Sequence, residues 1–174
     1  MSATPVVIGL GANLGDRRAN IGRAIELLAG SLVIERVSGL YETAPMYISD
    51  QPPFLNAVLS ARCEIGPLEL VRTLKQIEQR VGRMERIRNG PREIDLDLLL
   101  YGSLVLASQT DAPVVVPHPR LGERRFVLEP LMEVDPYAVI PQNGAVATLL
   151  QKQDVQAQTV RRVSDAPIPI PCAR

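Results

Sequence analysis

Two aspartates, Asp95 and Asp97, stand one residue apart in the run Ile94-Asp95-Leu96-Asp97-Leu98-Leu99-Leu100-Tyr101. Residues i and i+2 of a strand share a face, with side chains roughly 6.5–7 Å apart. Both carboxylates then project to one side, while Leu96 and Leu98 turn to the other, toward the core. Acids so placed repel each other unless a cation lies between them. Mg²⁺ uses one or two protein carboxylates together with substrate phosphates, and a pair of such ions can clamp a displacement at phosphorus. The plainer reading is a solvated strand face with ordinary alternating charge. The preceding residues weigh against it: Arg80, Arg83, Arg86, Arg88 and Arg92 against Glu85 alone give residues 80–92 a net charge of +4. A guanidinium is a planar, permanently charged fork that matches phosphate oxygens. Acids and arginines together point to metal-assisted transfer of a phosphoryl-type group, with the substrate still unnamed.

The composition narrows what can surround such a site. The chain has 174 residues, 46% of them hydrophobic, and 19 basic residues balance 19 acidic ones. That is the profile of a globular chain of one domain, taken here as residues 1–174. Zero net charge argues against a general polyanion binder. The chain lacks a run of about 18 apolar residues of the kind that spans a bilayer. Met-Ser-Ala-Thr-Pro at the start is not a signal sequence, so a cytoplasmic location is expected, with small-molecule partners and neither nucleic acid nor membrane. Oligomeric state is left open, with a monomer as the default. Two cysteines, Cys63 and Cys172, and one histidine, His118, build neither a disulfide framework nor a four-ligand zinc site, so a metal would be held by oxygen.

The elements that must position these residues follow from periodicity. Thr4–Leu10 reads as a strand, and Gly11–Gly15 as a loop. Asp16 is placed to cap a helix whose buried face is Ile21, Ala24, Ile25 and Leu28, stopped by Gly30. Leu32–Glu42 reads as a second strand and Phe54–Cys63 as a third. Pro67 opens a helix with Leu70, Leu74, Ile77 and Val81 inward and Glu78 turned partly away. Ile94–Tyr101 is a fourth strand. A helix is expected around Leu128–Val134 and another over Ala145–Gln153, before a Pro-rich tail at about 163–174. The order β-α-β-β-α-β predicts an α+β, ferredoxin-like α/β sandwich: a mostly antiparallel sheet with helices packed on one face. Gly9-Leu10-Gly11-Ala12-Asn13-Leu14-Gly15 resembles a dinucleotide-binding turn, but Leu14 replaces the third glycine, so a flexible connection and helix cap are expected.

Four sets of residues, in this order and spacing, carry a resemblance across residues 5–141. They are VIGLGANLGDR at 7–17; YETAPM at 41–46 with QPPFLNAV at 51–58; IEQRVGR at 77–83 with GPREIDLDLLLYG at 90–102; and VPHPRLGERRFVLEPL at 116–131. The chain resembles the 6-hydroxymethyl-7,8-dihydropterin pyrophosphokinases, folate-pathway enzymes that move diphosphate from ATP to a pterin alcohol. The resemblance implies that Asp95 and Asp97 hold two Mg²⁺ ions on ATP, and that Arg83 and Arg92 contact the phosphates or the transition state. It implies that Glu78, Leu98, His118 and Arg124 line the ATP site. Arg86 matches a further nucleotide-contacting arginine, although a loop one residue shorter than in relatives lets that match slide to Arg88 or Glu85. It implies a pterin stacked between Phe54 and Phe126, its edge bonded by Asn56, with Thr43, Ala44 and Met46 in backbone contact and Asp95 alongside.

The physics is compatible with that transfer. Flat rings stack on aromatics, and an amide offers a donor beside an acceptor. Without the resemblance, the two phenylalanines would be ordinary core, and His118 between Pro117 and Pro119 a structural hydrogen bond. Two other functions compete: a ferredoxin-like nucleic-acid module, disfavoured by neutral charge and 3% aromatics, and a metal-dependent phosphohydrolase using the same acids.

Overall fold

A computed structural model of the chain describes residues 3–46, 50–84, 87, 90–107, 114–164 and 169. Its framework is β1 (Thr4–Ala12), α1 (Arg17–Leu28), β2 (Val33–Val37), β3 (Leu40–Thr43), β4 (Phe54–Cys63), α2 (Pro67–Val81) and β5 (Asp95–Tyr101). Among the described residues these strands pair antiparallel, in the order β5-β1-β4-β3, with β2 also pairing β4. This is the expected ferredoxin-like sandwich. Among the described residues no helix is long and apolar enough to cross a membrane.

Alternation along β1 sends Val6, Ile8, Leu10 and Ala12 into a core shared with Ile21, Ala24, Ile25 and Leu28 of α1 and Leu70, Leu74 and Ile77 of α2. Asp16 caps α1, its Oδ1 accepting from the Ala19 N–H at 3.0 Å. Gly82 ends α2 at φ +117°, a left-handed turn that glycine alone adopts without strain. The strand expected over Leu32–Glu42 is broken in two. At the break Ser38 is buried, its N–H donating to the Val58 carbonyl and its Oγ accepting from the Val58 N–H, each at 2.9 Å. A side chain thus takes over from the ladder for one residue.

The expectation of helices on one face is overturned. The chain continues into a short 3₁₀ turn at Leu121–Glu123 and α3 (Arg125–Val134). Val127, Leu128 and Leu131 of this region pack with Val58, Leu99 and Leu100 in a second core on the opposite face of the sheet. The cause is a register shift: Ile8 faces Leu98 and Val7 faces Leu100, so Leu99 is an extra residue on β5. The bulge places two consecutive leucines against the second face, apolar surface that must be covered. Beyond α3 come β6 (Val139–Ile140), β7 (Gly144–Ala145), α4 (Val146–Leu149) and α5 (Gln153–Gln156), in place of one expected helix. An unexpected edge strand, β8 (Arg161–Ser164), pairs with β3. Of the Pro-rich tail at 163–174, all but residues 163, 164 and 169 lie outside the described residues.

Candidate active site

Between the second face of the sheet and α3 lies a cavity of about 320 Å³. It brings together Thr43, Ala44, Met46, Phe54, Asn56, Arg92, Asp95, Asp97, His118, Arg124 and Phe126. Three further predicted residues stand outside its lining. Leu98 is buried in the first core, facing away. Arg83 is one step removed, through Asp95. Glu78 is not turned away from the core: it is 2% exposed and sits beneath β5. Its Oε1 accepts from the Leu96 N–H at 2.7 Å and from Lys75 Nζ at 2.8 Å, while Oε2 pairs with Arg83 at 2.8 Å. It anchors the strand edge between the two aspartates and holds Arg83. Burial raises its pKa, with the Lys75 charge opposing. Arg86 lies outside the described residues, as do Glu85 and Arg88.

The two aspartates share a face and differ in electrostatics. Asp95 accepts from Arg83 at 2.5 Å on one oxygen and from Arg92 at 2.8 Å on the other. Burial alone would raise its pKa, but the charges of Arg92 and Arg83 outweigh burial and hold it below the usual carboxylate range. Asp97 has no salt bridge or side-chain hydrogen bond among the described residues. Burial, then the Asp95 charge, push its pKa up against the pull of His118. An under-compensated carboxylate beside a second one, both facing a cavity, suits a hard cation with oxygen ligands. Among the described residues there is no group of three or more His, Cys, Asp and Glu that could hold a metal, so the remaining ligands would come from substrate and water. Burial lowers the pKa of His118, with Asp97 opposing. Its Nδ1 accepts from the Arg120 N–H at 3.2 Å, which leaves the proton of the neutral ring on Nε2. Its own N–H donates to the Leu99 carbonyl at 2.9 Å, so the residue is both structural and site-lining.

Each phenylalanine carries an arginine at its face: Arg92 lies 5.6 Å from the Phe54 ring centre and Arg124 lies 5.7 Å from that of Phe126. Asn56 spends both amide hydrogens on the protein, donating to the Tyr41 carbonyl at 3.2 Å and to Thr43 Oγ1 at 3.0 Å. Only its oxygen is left to accept from a ligand, which narrows the donor-and-acceptor reading of this residue.

Several contributors escaped sequence reasoning. Gly9 and Gly11 belong to β1, which runs to Ala12 because it is paired on both sides, and they form the cavity floor. A Cβ on Gly11 would stand 3.4 Å from Asn56 Oδ1. The alternation Gly-x-Gly inside an apolar strand is the signal for such close approach. Asn13 is no flexible connection. It is 2% exposed, accepts from the Arg92 N–H at 2.8 Å, and donates to Gln51 and the Pro52 carbonyl at 3.0 Å each. It ties the glycine turn to Arg92 and to the segment before Phe54.

Known proteins share this arrangement of sequence. The family model of 7,8-dihydro-6-hydroxymethylpterin-pyrophosphokinase matches residues 7–136. The 2-amino-4-hydroxy-6-hydroxymethyldihydropteridine pyrophosphokinase of Aquifex aeolicus is 43% identical over 136 residues, covering 78% of this chain and 83% of that protein. The mitochondrial folate synthesis bifunctional protein of Pisum sativum is 48% identical over 130 residues, 74% of this chain. The match spans only 25% of the pea protein's length. Among solved structures, Plasmodium falciparum HPPK-DHPS wild type with pterin and p-hydroxybenzoate superposes with a TM-score of 0.70 at 15% identity, over 93% of this chain and 45% of the parasite chain. That last likeness is one of fold. The match over most of the chain and the similarity to the Aquifex protein reach further: this chain belongs to the 7,8-dihydro-6-hydroxymethylpterin-pyrophosphokinase family.

Proposed function

We propose that this protein transfers diphosphate from ATP to the hydroxymethyl group of 6-hydroxymethyl-7,8-dihydropterin, releasing AMP, as a step of folate synthesis. One observation carries the reading: the lining of one cavity includes Phe54, Phe126 and Asn56 together with Asp95, Asp97, Arg92 and Arg124, so groups suited to a flat ring and groups suited to phosphates and a cation share one space. The two reactants can therefore be held in line, and positioning supplies much of the rate.

In this reading Phe54 and Phe126 sandwich the pterin and the Asn56 oxygen accepts from a ring N–H. Thr43, Ala44 and Met46 close the same end. Arg92 and Arg83, held ready by Asp95 and Glu78, face the phosphates, with Arg124 and His118 on the nucleotide side. Asp95 and Asp97 would hold two Mg²⁺ ions, whose chemistry when bound is to neutralise the triphosphate and polarise the phosphorus under attack. Charge neutralisation and orientation dominate, because phosphoryl transfer asks little covalent chemistry of the protein. The same reading takes residues 1–174 as one catalytic domain, acting as a monomer in the cytoplasm, with neither nucleic acid nor membrane as partner.

The test is to incubate the protein with MgATP, with and without the hydroxymethyl-dihydropterin, and identify the nucleotide released. AMP formed only with the pterin supports the transfer of two phosphates. ADP would make the protein an ordinary kinase. Nucleotide breakdown without the pterin would make it a phosphohydrolase.

A further inference from the structure

The cavity wall that carries Arg124 and Phe126 has a weak point of its own. Arg124 and Phe126 flank the first residue of α3, Arg125, and the helix begins without a side-chain cap from its own neighbourhood or an acidic residue in its first turn. A helix start leaves several backbone N–H groups in need of partners. Here the partner comes from 33 residues downstream, beyond residues 7–136 that the family model matches. Gln158 Oε1 accepts from the Arg125 N–H at 3.0 Å, and Gln158 Nε2 donates to the Glu123 carbonyl at 2.6 Å. One amide thus brackets Arg124, bonding the backbone of the residue on each side of it. The Arg125 guanidinium returns the grip, donating to the carbonyls of Gln156 at 2.9 Å and Gln158 at 3.0 Å.

We infer that Gln158 is a positioning residue for substrate binding: it fixes the backbone that carries Arg124 and Phe126, so that the second wall is in place before substrates arrive. The inference rests on the proposed reading of the cavity as the site for pterin and ATP. With Gln158 absent, the wall would sample other arrangements, and substrates would have to select the competent one. Apparent affinity then falls by the competent fraction, while the assembled complex, once formed, reacts as before.

Gln158→Met keeps length and loses both hydrogen bonds to the wall, together with a 3.4 Å contact from Nε2 to the Asp154 carbonyl; Gln158→Glu keeps an acceptor for the Arg125 N–H and loses the donor to Glu123. Gln151→Ala removes a 3.3 Å contact to Gln156 in the same segment without touching the wall. In steady-state assays of AMP release, Gln158→Met should raise the KM of both substrates about tenfold and leave kcat within about twofold. Gln158→Glu should lie between it and the parent, and Gln151→Ala should match the parent. Unchanged KM values in Gln158→Met, a loss confined to kcat, or an equal loss in Gln151→Ala would each overturn the inference. Amide hydrogen exchange at Arg125 in the ligand-free chain is a readout independent of activity. It should speed up in Gln158→Met and not in Gln151→Ala; equal rates in the two variants overturn the positioning role. Should the parent release no AMP with the pterin, the functional reading fails by itself and the exchange result alone decides the role of Gln158.

Discussion

The two aromatic walls of the cavity are built by different means. Phe54 opens β4, where Thr43 faces it across the ladder and Ala12 faces its neighbour Leu55. Its place is set by strand register, and slipping one residue would turn all of β4 inside out. Phe126 stands in the first turn of α3, outside any ladder, fixed by packing on the second core and by bonds from Gln158. A sheet-built wall holds its geometry when one side chain is removed and loses only that group's chemistry. A wall at a helix start depends on a few specific bonds, and its geometry is what a substitution loosens.

The most severe test of this contrast lies on the sheet wall. If Asp97 holds a metal as proposed, Asp97→Ala should cut AMP formation by about a thousandfold or more, since a lost metal ligand is worth several kcal/mol of barrier. Its melting temperature should not fall, because Asp97 makes no salt bridge or side-chain hydrogen bond among the described residues and burial works against its charge. A clear fall in melting temperature would mean that geometry on this wall also hangs on single side chains.

Asp95→Asn sharpens the point within the same wall. It strips Arg83 and Arg92 of their shared carboxylate. Leaving such groups half-satisfied should cost about 1–3 kcal/mol of unfolding free energy in urea titrations, in addition to lost activity. Equal stabilities for Asp95→Asn and Asp97→Asn would erase the distinction between the two acids. Smaller again is Gly11→Val on the floor. Its branches would crowd Asn56 and weaken pterin binding about tenfold by calorimetry, with the fold intact.

The smallest expected effect belongs to the surface bonds beside the Phe54 wall. Glu42 of β3 pairs with Arg17 at 2.9 Å and Arg161 at 2.6 Å, and Arg17 also donates to the Pro53 carbonyl at 2.8 Å. The hydrogen bonds from Arg161 and Arg17 lower the Glu42 pKa below its ordinary 4.5. A lowered carboxyl pKa contributes stability that is complete above the unfolded value and disappears as pH falls through the folded one. Glu42 is only half-buried and Arg161 largely exposed, so these solvent-screened pairs are worth under about 1 kcal/mol. The stability gap between parent and Glu42→Gln should be small at pH 7 and shrink as pH falls below the unfolded value toward the lowered folded one; a gap that widens in acid would refute this sign.

Much of this was legible in the residues. The four inward positions of α1 and both ends of β4 follow from local periodicity, and so does the shared face of Asp95 and Asp97. Glu78 was misread because helical spacing put it at the margin of the buried stripe, whereas its partners Leu96 and Arg83 come from other segments. The second core was missed because the bulge at Leu99 leaves no mark in a run of three leucines. Asn13 was hidden for a like reason: a polar residue in a glycine-rich turn looks solvated until the groups that bond it are known.

By itself, the sequence determined the layered sheet, its helices, the family, and the pairing of acids with arginines in one neighbourhood. Those depend on side chains alternating along an element's own axis, a property of adjacent residues. Only the tertiary structure decided that Asp95 is ion-paired while Asp97 has no such partner among the described residues, that Glu78 is buried, and that a glutamine beyond residues 7–136 bonds the backbone of one wall of the cavity. Hydrogen bonds and charges act across a few ångströms of space, whatever the separation along the chain, so their partners emerge only when distant segments have come together.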